Sequence, residues 1–155
     1  MPSFKRQREI VDEKRDKMLE YQRKVEEQES VVRAHTTEVQ AFNREKGHLT
    51  RQLGLLEVRY EEALAMLESH EQRLARSGKS GANGEFERNL RREVNEKLLA
   101  SREANFRVRA IEKTADKAEK SEQKAQERLN ELQRKFSEAT AQLRTEHGNL
   151  IRWKK

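Results

Sequence analysis

Hydrophobic residues recur every seven positions along most of this chain. Stepping by seven from Phe4 to Leu74 reaches an apolar side chain at ten of eleven positions, the exception being Lys46. A companion series three residues further along is polar in its first half and apolar in its second. The two series are the a and d positions of a heptad repeat, which predicts a long helix paired with another helix in a left-handed coiled coil.

A second repeat occupies the other half of the chain, with a positions from Val94 to Leu150 and d positions from Leu90 to Trp153. The intervening residues 77–84 contain three glycines and no apolar side chain larger than Ala. Because a helix does not tolerate glycine at that density, we predict one coiled-coil helix over residues 1–76, a Gly/Ser loop over 77–84, and a second coiled-coil helix over 85–155.

Near-equal helix lengths and a short connection predict an all-α fold, an antiparallel coiled-coil hairpin of two long helices. The pairing that we favour places Val11 opposite Trp153 and Leu53 opposite Ile111. An alternative pairing is shifted by one heptad. The main alternative architecture is a parallel homodimeric coiled coil in which each helix pairs with its copy and residues 77–84 form a hinge.

Composition supports helices that bury one narrow stripe. The chain has 155 residues, of which 40% are charged and 33% hydrophobic, so an ordinary globular core is excluded. It has no cysteine, which excludes disulfides and thiolate metal sites, and no apolar run of about 18 residues that would span a membrane. We expect a soluble intracellular protein, most consistent with a cytoplasmic or cytoskeletal location.

The sequence offers no convincing catalytic or cofactor motif. Gly78-Lys79-Ser80 resembles the end of a phosphate-binding loop, but that motif requires a glycine where this chain has Arg73. The four histidines are scattered, and a two-helix protein offers no concave pocket for a reaction. We therefore expect a protein that is not an enzyme and that needs no cofactor or metal.

Apolar residues outside the heptad seam predict a partner interface. Residues 53–67 are far richer in apolar side chains than a two-helix seam requires, and the excess lies at outward-facing positions. Outward-facing apolar residues recur in the second helix, where two arginines lie beside them. The predicted partner interface comprises Leu55, Val58, Leu99, Arg102, Phe106 and Arg109.

The net positive charge of the chain arises in its second half. Acids and bases cancel within residues 1–76, and the formal net charge of +6 arises in residues 77–155. If the hairpin closes, basic residues from both termini meet at one end and could bind phosphates or an acidic protein surface. This predicted basic end comprises Lys5, Arg6, Arg8, Arg152, Trp153, Lys154 and Lys155.

These features favour a structural coiled-coil protein that scaffolds, spaces or tethers components of a larger assembly, of a cytoskeletal, axonemal, kinetochore or organellar kind. The expected partners are proteins, or further copies of the chain. The first alternative is a basic helical component that binds nucleic acid or belongs to a ribonucleoprotein. The second alternative is a helical module on a membrane surface.

Overall fold

The computed structural model describes residues 3–78 and 84–154, which form two long helices. Helix α1 runs over Phe4–Arg76 and helix α2 over Glu85–Lys154. The fold is an all-α helical hairpin, as the heptad pattern predicts, rather than a chain whose helices pair only with a second copy. Most of the predicted loop, residues 79–83, lies outside the described residues.

Side-chain and backbone groups close the ends of α1. At its start, the Ser3 hydroxyl accepts a hydrogen bond from the Arg6 backbone N–H at 3.2 Å, as expected of an N-terminal cap. At its end, the Ser77 hydroxyl donates to the Leu74 carbonyl at 2.9 Å, and Gly78 adopts a φ of +71°. A right-handed α-helix requires a negative φ, so α1 ends before Gly78. Glycine suits this position because it adopts a positive φ without steric cost.

The chain divides into two units, which are described separately. The terminal unit contains residues up to 39 and from 117 onward, and the loop-side unit contains residues 40–116. In the terminal unit, polar d positions of α1 donate hydrogen bonds across to α2. Gln7 Nε2 reaches the Glu146 backbone carbonyl at 3.0 Å and its carboxylate at 2.8 Å, and Gln28 Nε2 reaches the Ala125 carbonyl at 3.0 Å. The amide groups of these two polar seam residues are therefore satisfied by the partner helix.

In the loop-side unit the seam is mainly apolar. Its buried side chains come from both helices, and His70 packs edge-on against Phe86 with ring centroids 4.9 Å apart. The a and d residues of both helices are buried or half-buried here, so the unit buries a narrow stripe of mainly apolar side chains. The buried apolar residues here are Ala63, Leu90, Val94, Val108, Ile111 and Ala115.

The cross-helix contacts correct the pairing that we favoured from the sequence. That pairing would place Gln28 opposite Phe136, about 16 Å along the helix axis from Ala125, the residue that Gln28 contacts. In the loop-side unit it would likewise place His70 opposite Val94 rather than near Phe86. Both units instead adopt the alternative shifted by one heptad, in which Leu53 is level with Ala104.

Burial follows the predicted heptad positions closely. Every a and d residue from Gln7 to Leu74 in α1, and from Leu90 to Leu150 in α2, is buried or half-buried. Gly47 and Gly54 do not interrupt α1. Within the described ranges, no helix is long and apolar enough to cross a membrane.

Candidate interaction surfaces

The four apolar residues of the predicted interface are all exposed. Leu55 and Val58 are about half exposed, whereas Leu99 and Phe106 are 63% and 73% exposed. Val58, Leu99 and Phe106 occupy f positions, which point directly away from the partner helix in a two-helix coiled coil. The hairpin therefore divides the predicted patch between two outer faces, one on α1 and one on α2. Whether either face binds a partner stays a prediction.

The outer face of α2 in the loop-side unit is basic and apolar. Its b and f positions from residue 88 to residue 113 carry five bases, no acid and two large apolar side chains, and all eight are exposed. Arg102 and Arg109, predicted from the sequence, lie on this face beside Leu99 and Phe106. The α2 basic face comprises Arg88, Arg92, Asn95, Leu99, Arg102, Phe106, Arg109 and Lys113.

The outer face of α1 in the same unit has the opposite charge. Its b, c and f positions from residue 55 to residue 68 carry three acids, no base and three apolar side chains, and all are exposed. The acids were not part of the predicted interface, although stepping by heptads would have found them. The α1 acidic face comprises Leu55, Val58, Glu61, Glu62, Ala65 and Glu68.

The charges on these two faces are not neutralised within the hairpin. In the loop-side unit the ion pairs among residues 40–78 and 84–116 join Arg91 to Glu71 and Glu87, and Arg107 to Glu103. None of these pairs includes a residue of the α1 acidic face or the α2 basic face. Both faces therefore keep their charge available for a partner.

The predicted basic end is only partly available. Gln7 and Glu146 bring the two helices together there, as the hairpin requires. However, Arg6 lies 3.2 Å from Glu9 and 4.0 Å from Glu13, so acids of its own helix share its charge. Trp153 is 41% exposed.

Five other residues complete the predicted basic end. Lys5, Arg8 and Arg152 are exposed, and Lys154 lies in the last turn of α2. Lys155 lies outside the described residues. At this end Arg6 is ion-paired with acids of its own helix, whereas no ion pair among the described residues includes a base of the α2 basic face.

A buried carboxylate at the loop-side end of α2 was missed by the sequence analysis. Glu87 lies at the a position seven residues before Val94, and only 3% of it is exposed. Its Oε1 accepts a hydrogen bond from Arg91 at 3.0 Å, whereas its Oε2 has no hydrogen-bond partner among the described residues. Arg91 also contacts Glu71 at 3.2 Å. Extending the second heptad series by one step would have revealed this charge in the seam.

Shallow grooves run between the two helices. One groove, of about 390 Å³, lies in the loop-side unit. One Glu and one Arg provide its charged groups, and its lining residues are Glu45, Leu49, Arg107, Ala110, Ile111 and Thr114. Among residues 3–78 and 84–154, no three His, Asp or Glu side chains are grouped to hold a metal ion.

The α1 acidic face and the α2 basic face are thus the candidate interaction surfaces of the loop-side unit. Both consist of exposed side chains that lie outside the a and d positions of the heptad repeat. Comparisons with known proteins add no functional information, since no protein-family model, curated protein or solved structure matches this chain.

Proposed function

We propose that this chain is a non-catalytic structural coiled-coil protein that spaces or tethers partner proteins in a larger assembly. The observation that supports this proposal is the exposure of Leu99 and Phe106 on the α2 basic face. Large apolar side chains that the fold does not bury are typical of protein interfaces when they cluster and lie beside arginine. A cytoskeletal, axonemal, kinetochore or organellar assembly suits this proposal.

Long helices are well suited to such a role. Each residue of a helix adds about 1.5 Å of length, so a paired helix of this kind separates binding sites by a fixed distance. The seam fixes the two helices against one another, and the outer positions remain free to vary in chemistry. Partner binding then requires no rearrangement of the seam.

The test is proximity labelling in the source cell with two matched double variants. Leu99→Ala with Phe106→Ala removes the apolar groups of the α2 basic face, whereas Leu19→Ala with Val31→Ala removes two exposed apolar groups of the terminal unit. Neither pair leaves a cavity, so both should preserve helicity in circular dichroism. We expect the first pair, and not the second, to lose labelled neighbours by about tenfold or more.

Labelling that is unchanged in the first pair would contradict the proposed interface. Nucleic-acid binding is the main competing function, because the five bases of the α2 basic face could also contact phosphates. A shift of duplex DNA or RNA by the purified protein that weakens steeply with salt would favour that function. Glu96 and Glu103, which lie beside the α2 basic face, oppose it.

A further inference from the structure

We propose that a second copy of this chain is one of its partners, with the α2 basic face of one hairpin bound to the α1 acidic face of the next. This inference rests on the proposed function, because it names the occupant of the same outer faces. It is carried by charge complementarity. The α2 basic face has five bases, with Glu96 and Glu103 beside it at c positions, and the α1 acidic face has three acids and no base.

The two faces overlap over part of the loop-side unit. In the observed pairing Leu53 is level with Ala104 and Leu67 is level with Leu90, so the α1 acidic face, residues 55–68, is level with residues 89–102 of α2, and the remainder of the α2 basic face extends beyond it. A neighbour lying alongside in the same orientation places its Val58 level with Leu99. One apolar side chain of each copy then meets another.

The same alignment brings opposite charges together at Glu68, whereas Glu61 lies level with Glu96. Glu68 of the neighbour lies level with the segment between Arg88 and Arg92. None of these three side chains takes part in an ion pair within the described part of its own chain. Attraction between the two copies therefore does not require an existing ion pair to break.

The contact joins two different surfaces, which determines its symmetry. A two-fold dimer through one face alone would set acids against acids, or bases against bases, and like charges would repel. Since the two faces point in opposite directions, one hairpin offers one face to each of two neighbours. A heterologous contact of this kind repeats from copy to copy, and forms either a ring or an open row.

The test is sedimentation velocity of the purified full chain over a range of concentrations, in about 0.05 M and about 0.5 M NaCl, where screening differs severalfold. The wild-type protein should self-associate in the low-salt buffer and dissociate in the high-salt buffer. Two charge-reversed variants separate the faces. The α1-reversed variant carries Glu61→Lys, Glu62→Lys and Glu68→Lys, and the α2-reversed variant carries Arg88→Glu, Arg92→Glu and Arg102→Glu.

Each reversed variant should associate with itself about tenfold or more weakly than the wild type, because like charges then face one another. A mixture of the two variants, and a chain that carries all six substitutions, should recover association. A control with the same charge change as the α1-reversed variant, placed elsewhere, should associate within about twofold of the wild type. That control carries Glu26→Lys, Glu127→Lys and Glu138→Lys, at exposed outer positions of the terminal unit.

A wild-type chain that stays monomeric at about 100 µM in low salt would overturn the inference, as would reversed variants that associate normally. Loss of association in the reversed variants without recovery in their mixture would also overturn it. Circular dichroism checks folding, and if a reversed variant loses helicity, Leu99→Ala with Phe106→Ala tests the same contact without changing charge. Failure here leaves the proposed function standing if labelling of other proteins in the cell still depends on Leu99 and Phe106.

Discussion

Replacing Glu87 by Leu should stabilise the hairpin, although it removes an ion pair. Glu87 is 3% exposed at an a position, where Leu is well suited to the seam. One of its carboxylate oxygens accepts a hydrogen bond from Arg91, and the other has no partner among the described residues. A buried carboxylate that is only partly satisfied costs desolvation energy that its single hydrogen bond does not fully offset.

The change in the free energy of unfolding has two contributions, the Leu side chain that is gained and the carboxylate that is removed. Burying a Leu side chain contributes about 1.5–3 kcal/mol, and the desolvation cost of the carboxylate is removed at the same time. Arg91 is more than half exposed and keeps Glu71 as a neighbour, so losing Glu87 leaves no buried cation. We therefore expect Glu87→Leu to raise the free energy of unfolding by about 1–3 kcal/mol.

Urea unfolding followed by circular dichroism at 222 nm measures this change. Glu96→Leu is the matched control, because Glu96 is exposed on the same helix and should change stability by less than about 0.5 kcal/mol. Arg91→Ala should destabilise the hairpin, since it leaves the Glu87 carboxylate without its hydrogen-bond donor. If Glu87→Leu destabilises the protein, the carboxylate is stabilised by more than Arg91, and the reasoning fails.

Two further predictions concern the helix interior and a surface carboxylate. Gly54→Ala should stabilise the protein by about 0.5–1 kcal/mol in thermal unfolding, because a Cβ there meets nothing within 4 Å. In contrast, Gly78→Ala should destabilise it by about 1–2 kcal/mol, because Gly78 has a positive φ. A hydrogen bond from Lys135 and the charge of that ammonium hold the pKa of the Glu131 carboxyl below its ordinary value. The small contribution of the Glu131 carboxylate to stability is therefore present above its unfolded pKa, and it is lost as the pH falls through its folded pKa. Lys135→Ala should raise the Glu131 pKa toward its ordinary value in a carboxyl ¹³C NMR titration, and an unchanged value would exclude Lys135 as the cause.

The heptad pattern predicts the fold well because burial in a two-helix protein depends almost entirely on sequence position. Val39, Ala63 and Val108 are buried where their a or d positions require it. The pairing was harder to predict, because a shift of one heptad keeps every a and d residue in the seam. Side-chain contacts such as that of Gln28 with Ala125 distinguish the two pairings, and these depend on three-dimensional geometry.

The outer faces were partly predictable for a similar reason. Exposure of Leu99 and Phe106 follows from their f positions, and the structure confirms it. Their grouping with Leu55 and Val58 in one patch was unjustified, because outer positions of paired helices point apart. The sequence analysis did not assign Glu61, Glu62 and Glu68 to an interface. Each of these acids, taken alone, is indistinguishable from an ordinary solvated charge, and only their shared face sets them apart.

The antiparallel pairing underlies every proposal above, and a distance between two spin labels tests it most directly. The chain has no cysteine, so cysteines introduced at chosen positions can be labelled selectively. One variant carries labels in place of Gln52 and Arg107, and another carries them in place of Gln52 and Thr114. All three sites are exposed and lie on the same side of the loop-side unit. With labelled chains diluted in unlabelled protein, we expect a shorter distance for Gln52 and Arg107 than for Gln52 and Thr114, by several ångströms. The reverse order would restore the pairing that places Leu53 opposite Ile111, and two long distances would contradict the hairpin itself.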